Sequence, residues 1–161
     1  MHGGQSRRLS AATGTATSRV GQLGAILVPI DFSPGSLRAL DAALALRPAE
    51  GEVTVLHVID TDLARRIDSL GLGAYADVVA RMRARAEEEC GWLTKEKAAG
   101  CELMVVEGVP FVEILKIAVD LAVDLIALGV RGNSAPLTEL LFGGTAERVL
   151  RTAQCPVLCV P

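Results

Sequence analysis

The chain predicts an α/β fold: one doubly wound, five-stranded parallel sheet in the order 3-2-1-4-5, Rossmann-like, with helices on both faces. Three observations predict it. Short apolar runs of strand length alternate with segments of helical period, the pattern of successive βαβ units. The runs are continuously apolar rather than alternating, as strands covered on both faces require. At 161 residues, half of them apolar, the chain is long enough for one domain with a full core. The strand order follows from fold rules rather than from any residue, and it places a switch point between strands one and four.

Residues 1–24 are rich in Gly, Ser, Thr and Ala and lack periodicity, so they read as a flexible leader before a domain at 25–161. No apolar core follows Arg7-Arg8, so no signal peptide is expected. Ala25 to Ile30 is the first strand. Asp31-Phe32-Ser33-Pro34 turns into a helix, with Ser33 as N-cap and Pro34 at the first helical position. Leu37, Leu40, Ala43 and Leu44 share one face of that helix, which runs to Leu46. Val53 to Ile59 is the second strand. Asp60, Asp62, Gly71 and Gly73 interrupt any period, so 60–75 reads as an irregular or partly helical crossover. Ala76 to Ala99 is a long helix closed by Gly100. Glu102 to Glu107 is the third strand, and Pro110 opens a helix to Ala122. Asp124 to Leu128 is the fourth strand. A loop spans 130–142, with a helical turn at Leu137–Phe142. The last helix begins near Gly143, and Pro156 to Val160 is the fifth strand.

The bulk numbers exclude several functions. Net charge is −3 and aromatic residues make up 3%, so neither a basic nucleic-acid surface nor base-stacking platforms are expected. Mean hydropathy is +0.39, yet no charge-free apolar run approaches the ~20 residues of a membrane span. Cys90, Cys101, Cys155 and Cys159 form no CxxC pair, and His2 and His57 are not spaced to complete a metal site. They read as buried free thiols of a reducing cytoplasm. His57, between Leu56 and Val58, reads as a satisfied, mostly buried strand residue.

Glycine carries the chemistry. Gly129-Val130-Arg131-Gly132 follows the fourth strand, and Gly143-Gly144-Thr145 opens the last helix. The first N–H groups of a helix lack intrahelical acceptors, and the helix dipole favours an anion beside them. Glycine lets backbone approach closely, so the two clusters together form a candidate phosphate nest. Arg131 can pair with a phosphate or stand solvated. Asp31 sits at the end of the first strand, where a carboxylate can accept from an amino group or sugar hydroxyl, or simply make the turn before Pro34.

Four segments resemble the universal stress protein family: Val28 to Ser33, Val55 to Ile59, Glu107 to Pro110, and Asp124 through Gly132 and Gly143 to Val160. The resemblance spans Ala25 to Pro161. It implies an ATP site of the pattern G-2x-G-9x-G-[ST]. Asp31 would hydrogen-bond the adenine, and Pro29, Ile30 and Val58 would line the base pocket. Leu128 and Gly129 would pass close to the nucleotide. Gly132, Gly143, Gly144 and Thr145 would surround ribose and phosphates. It also implies a homodimer through the C-terminal strand, 156–160, which would bring Cys155 and Cys159 near the interface.

Two departures from the pattern are visible. Ten residues, Asn133 to Phe142, stand where the pattern has nine, with Pro136 as the extra one, and Gly144 replaces Ser or Thr. The expected function is an adenine-nucleotide-binding stress-response module of the cytoplasm, taking ATP with or without magnesium. Two alternatives stay open: a dimeric interaction protein without nucleotide, and a slow ATPase or phosphotransferase. The sequence shows no evident general base and no dedicated magnesium carboxylates for the latter.

Overall fold

The computed structural model describes residues 23–130 and 143–161. Five parallel strands form one sheet in the order β3-β2-β1-β4-β5, as expected. They are β1 (Ala25–Pro29), β2 (Glu52–Asp60), β3 (Glu102–Gly108), β4 (Leu125–Gly129) and β5 (Val157–Val160). The helices are α1 (Pro34–Leu46), α2 (Thr61–Ser69), α3 (Tyr75–Glu96), α4 (Pro110–Asp120) and α5 (Gly144–Thr152).

The pleat sorts the apolar strand residues between two cores. Ile26, Val28, Val53, Val55, Leu125 and Ala127 face Ala39, Leu40 and Ala43 of α1 and Leu93 of α3. Leu27, Leu56, Ile126 and Leu128 face Ile114, Ile117 and Ala118 of α4 and Ala146 and Val149 of α5. Because β1 is central and buried on both sides, its run carries no alternation. Its register sets Ile26 beside Val53 of β2 and beside Leu125 of β4. Asp124 fastens the start of this register: its Oδ2 accepts from Ala25 N–H at 3.0 Å, and its own N–H donates to Ala25 O at 2.8 Å.

The crossover at 60–75 is more regular than expected. Asp60 ends β2 and caps α2, its Oδ1 accepting from Asp62 N–H and Leu63 N–H, both at 3.0 Å. Gly71, at φ 70°, then closes the helix, with Leu72 N–H returning to Ile67 O at 3.1 Å. Only Thr61 and Ala64 of α2 are buried, so no apolar stripe announces it. α3 starts one residue early and ends at Glu96, short of Ala99. α4 stops at Asp120, because Ala122 takes φ 47° and Val123 N–H turns back to Ala118 O at 3.0 Å. The leader, apart from Leu23 and Gly24, and the turn at Leu137–Phe142 lie outside the described residues.

Candidate functional site

The chain runs outward from β1 through β2 to β3, then crosses to β4 on the other side of β1. This opens a crevice at the carboxyl ends of β1 and β4. A cavity of about 540 Å³ lies there. That is within the ~300–1,000 Å³ usual for small-molecule sites.

Of the residues singled out in the sequence, Pro29, Ile30, Asp31, Val58, Leu128, Gly129, Gly143, Gly144 and Thr145 all line this cavity. Arg131 and Gly132 lie outside the described residues. At the β1 end, Asp31 builds a tight turn. Its Oδ1 accepts from Ser33 N–H at 3.1 Å and from the Ser33 hydroxyl, while its own N–H meets Ser36 Oγ at 3.3 Å. Ser33 caps α1 by accepting from Ser36 N–H, with Pro34 in the first turn. Turn-making and ligand contact are therefore compatible for Asp31: the serines aim a carboxylate that remains exposed at the cleft. Between Asp31 and Ser33, Phe32 adopts φ 61°, a left-handed conformation uncommon for a residue with a side chain.

At the β4 end, Gly129 meets α1 at backbone distance. A Cβ there would stand 2.6 Å from Gly35 C and from Ser36 N. Glycine is thus needed to let α1, and the Asp31 turn with it, come down onto β4. Among the described residues, a Cβ at Gly144, the first residue of α5, would meet nothing within 4 Å. Gly143 donates its N–H to Val130 O, just past the end of β4, at 2.8 Å. That N–H is engaged with the chain itself, a change from the part expected of it. The first-turn N–H groups of Gly144, Thr145 and Ala146 have no intrahelical acceptor and form the donor set beside the cavity.

Several lining residues were absent from the sequence expectation. His57 is mostly buried, as expected, yet it lines the cleft. Leu63 and Ile67 of α2 and Val78, Met82 and Ala86 of α3 add an apolar wall, with Arg85 paired to Glu89 at 2.7 Å on its rim. They come from the crossover, and only the fold brings them to the strand ends. The cysteines lie apart from the cavity lining: Cys90 is buried, while Cys101, Cys155 and Cys159 are partly exposed.

Known proteins share this fold. Residues 23–161 match the model of the universal stress protein family. Universal stress protein MJ0577 of Methanocaldococcus jannaschii is 32% identical over 151 residues, covering 84% of this chain and 93% of its own. Universal stress protein YxiE of Bacillus subtilis is 31% identical over 144 residues, covering 84% and 97%. The solved structure of MJ0577 superposes with a TM-score of 0.73 at 31% identity, over 86% of this chain and 96% of that one. Two more distant structures share the fold. One is a universal stress protein in complex with cAMP, at 21% identity, TM-score 0.53 and coverage of 85% and 96%. The other is an Arabidopsis thaliana family protein with AMP bound, at 18%, 0.54 and coverage of 84% and 90%.

Proposed function

The chain belongs to the universal stress protein family, and on that premise we propose that it is a cytoplasmic stress-response module that binds an adenine nucleotide, ATP, and acts as a homodimer. One observation carries this: the cavity joins an aimed carboxylate, Asp31, to the donor N–H groups that open α5. The chemistry of the two ends suits the two ends of a nucleotide. A carboxylate accepts from an exocyclic amino group, and the free N–H groups of a helix N-terminus donate to an oxyanion. Pro29, Ile30 and Val58 supply apolar contact for a base, and Leu128 and Gly129 form the floor between. Gly132 belongs to the phosphate end by the sequence pattern, and Arg131 beside it in sequence can pair with a phosphate. That the fold accepts adenine nucleotides is seen in the cAMP and AMP complexes of the distant relatives.

Magnesium would arrive on the triphosphate. Among the described residues no group of three or more His, Cys, Asp or Glu side chains could hold a metal ion. Bound nucleotide then changes the surface of the module and of its dimer. The edge of β5, paired on one side with β4, is the surface that a second copy would cover. No helix among the described residues is long and apolar enough to cross a membrane.

Gly144, standing where the family pattern has a hydroxyl, favours a second reading: a dimeric interaction protein that holds no nucleotide. Heat-extraction of the purified protein, with chromatography of the released small molecules, separates the two. The proposal expects an adenine nucleotide in the extract or taken up from millimolar ATP; neither leaves the second reading. Light scattering tests the dimer, and a monomer mass refutes that part.

A further inference from the structure

We propose that His57 is the positioning residue that gives the cleft its preference for a 6-amino purine. This rests on the adenine-nucleotide reading above. His57 Nδ1 lies 2.8 Å from Ile30 O. A carbonyl only accepts, so Nδ1 carries the proton and donates. Ile30 N–H in turn donates to Leu56 O at 2.8 Å. Strand β2 therefore grips Ile30 by both its polar backbone groups, immediately before Asp31.

The residue on the other side of Asp31 meets the same imidazole. The Phe32 ring packs against His57 with centroids 4.9 Å apart, tilted by 42°. This contact braces Phe32 in its left-handed conformation, φ 61°. Both neighbours of Asp31 thus touch His57, while Ser33 and Ser36 hold Asp31 from the α1 side. The backbone that aims the carboxylate has β2 as one anchor and α1 as the other. His57 is the β2 anchor.

ATP and ITP probe this effect: N1 of the purine is an acceptor in one and an N–H donor in the other, and position 6, which the carboxylate faces in this reading, carries an amino donor in one and an oxo acceptor in the other. A fixed carboxylate accepts from the first and repels the second. His57→Phe keeps a ring against Phe32 and removes the donor. His57→Asn keeps a donor near the Nδ1 position and removes the ring. The ATP-to-ITP affinity ratio of the full-length protein should fall about five- to tenfold in H57F, the scale of one lost hydrogen bond. It should stay within about twofold of wild type in H57N. Hydrogen exchange over residues 30–36 of the ligand-free protein should quicken in H57F and not in H57N. The proposal is overturned if the ratio is unchanged in H57F, if H57F loses ATP and ITP in equal proportion, or if H57N is as impaired as H57F. If wild type binds neither nucleotide, the adenine reading falls by itself. Unchanged exchange over 30–36 in H57F would then overturn the anchor as well.

Discussion

Replacing Gly129 by alanine tests how the cleft is assembled. The added Cβ would lie 2.6 Å from Gly35 C and Ser36 N and 2.9 Å from Gly35 O. Carbon atoms in ordinary contact stand ~3.5–4.0 Å apart, so α1 must retreat from β4 by about 1 Å. All three neighbours are main chain and no side chain can rotate away. The cost should therefore sit near the upper end of the ~1–3 kcal/mol typical of overpacking. For a chain of this size that lowers Tm by about 6–12 °C. The retreat also carries Ser33 and Ser36, and with them the Asp31 turn, so nucleotide affinity should fall further than instability explains. Gly144→Ala is the control. Among the described residues its Cβ meets nothing within 4 Å. Fewer unfolded conformations should then give a gain of ~0.4–1 kcal/mol. Thermal unfolding followed by circular dichroism reads both variants. The reasoning fails if G129A melts within about 2 °C of wild type, or if G144A falls as far as G129A.

Three more perturbations address the site and the core. Asp31→Ala should weaken ATP about ten- to hundredfold, the worth of a hydrogen bond to a charged group. It should also erase any preference over GTP, and a preference retained in competition assays removes Asp31 from base recognition. Gly144→Ser restores the missing hydroxyl at the start of α5 and should tighten ATP about tenfold by calorimetry; no gain would mean that this position does not face the phosphates. Burial, with the charge of Glu89 adding to it, pushes the Cys90 thiol up from its ordinary value of 9.0. The unfolded thiol ionises first, so this contribution is complete below the ordinary thiol range and is lost as pH rises through it. The fall in urea midpoint between about pH 8 and pH 9.5 should therefore be smaller in Cys90→Ala than in wild type, and an equal fall would assign the loss to other groups.

Much of the fold was legible because local signals agreed with the global pattern. Ser33 and Pro34 announced α1 to the residue, and its end at Leu46 matched. The continuous apolar run of β1 announced a strand buried on both faces, and fold rules put it at the sheet centre. Where local and global signals parted, the sequence was silent. α2 buries two small residues and, Ile67 apart, leaves the rest exposed, so Asp60 looked like a breaker although it is a cap. Nothing in alanine foretells the left-handed turn at Ala122, where Val123 N–H returns to Ala118 O and closes α4. The same holds at the site. The strand-end residues were legible because topology dictates where strands end. The wall from Met82, Ala86 and Ile67 was not, since it depends on how the α2–α3 pair folds back over the crevice. His57 was correctly read as satisfied. Its partner, Ile30 O, lies 27 residues away in sequence and could not be named.

Calorimetric titration of the full-length protein with ATP, with GTP in parallel, tests the central claim most directly. Saturable binding of one ATP per chain, with a Kd below about 1 mM and weaker GTP binding, is the predicted result. No binding heat at millimolar ATP, from protein shown to be folded and stripped of nucleotide, would contradict it.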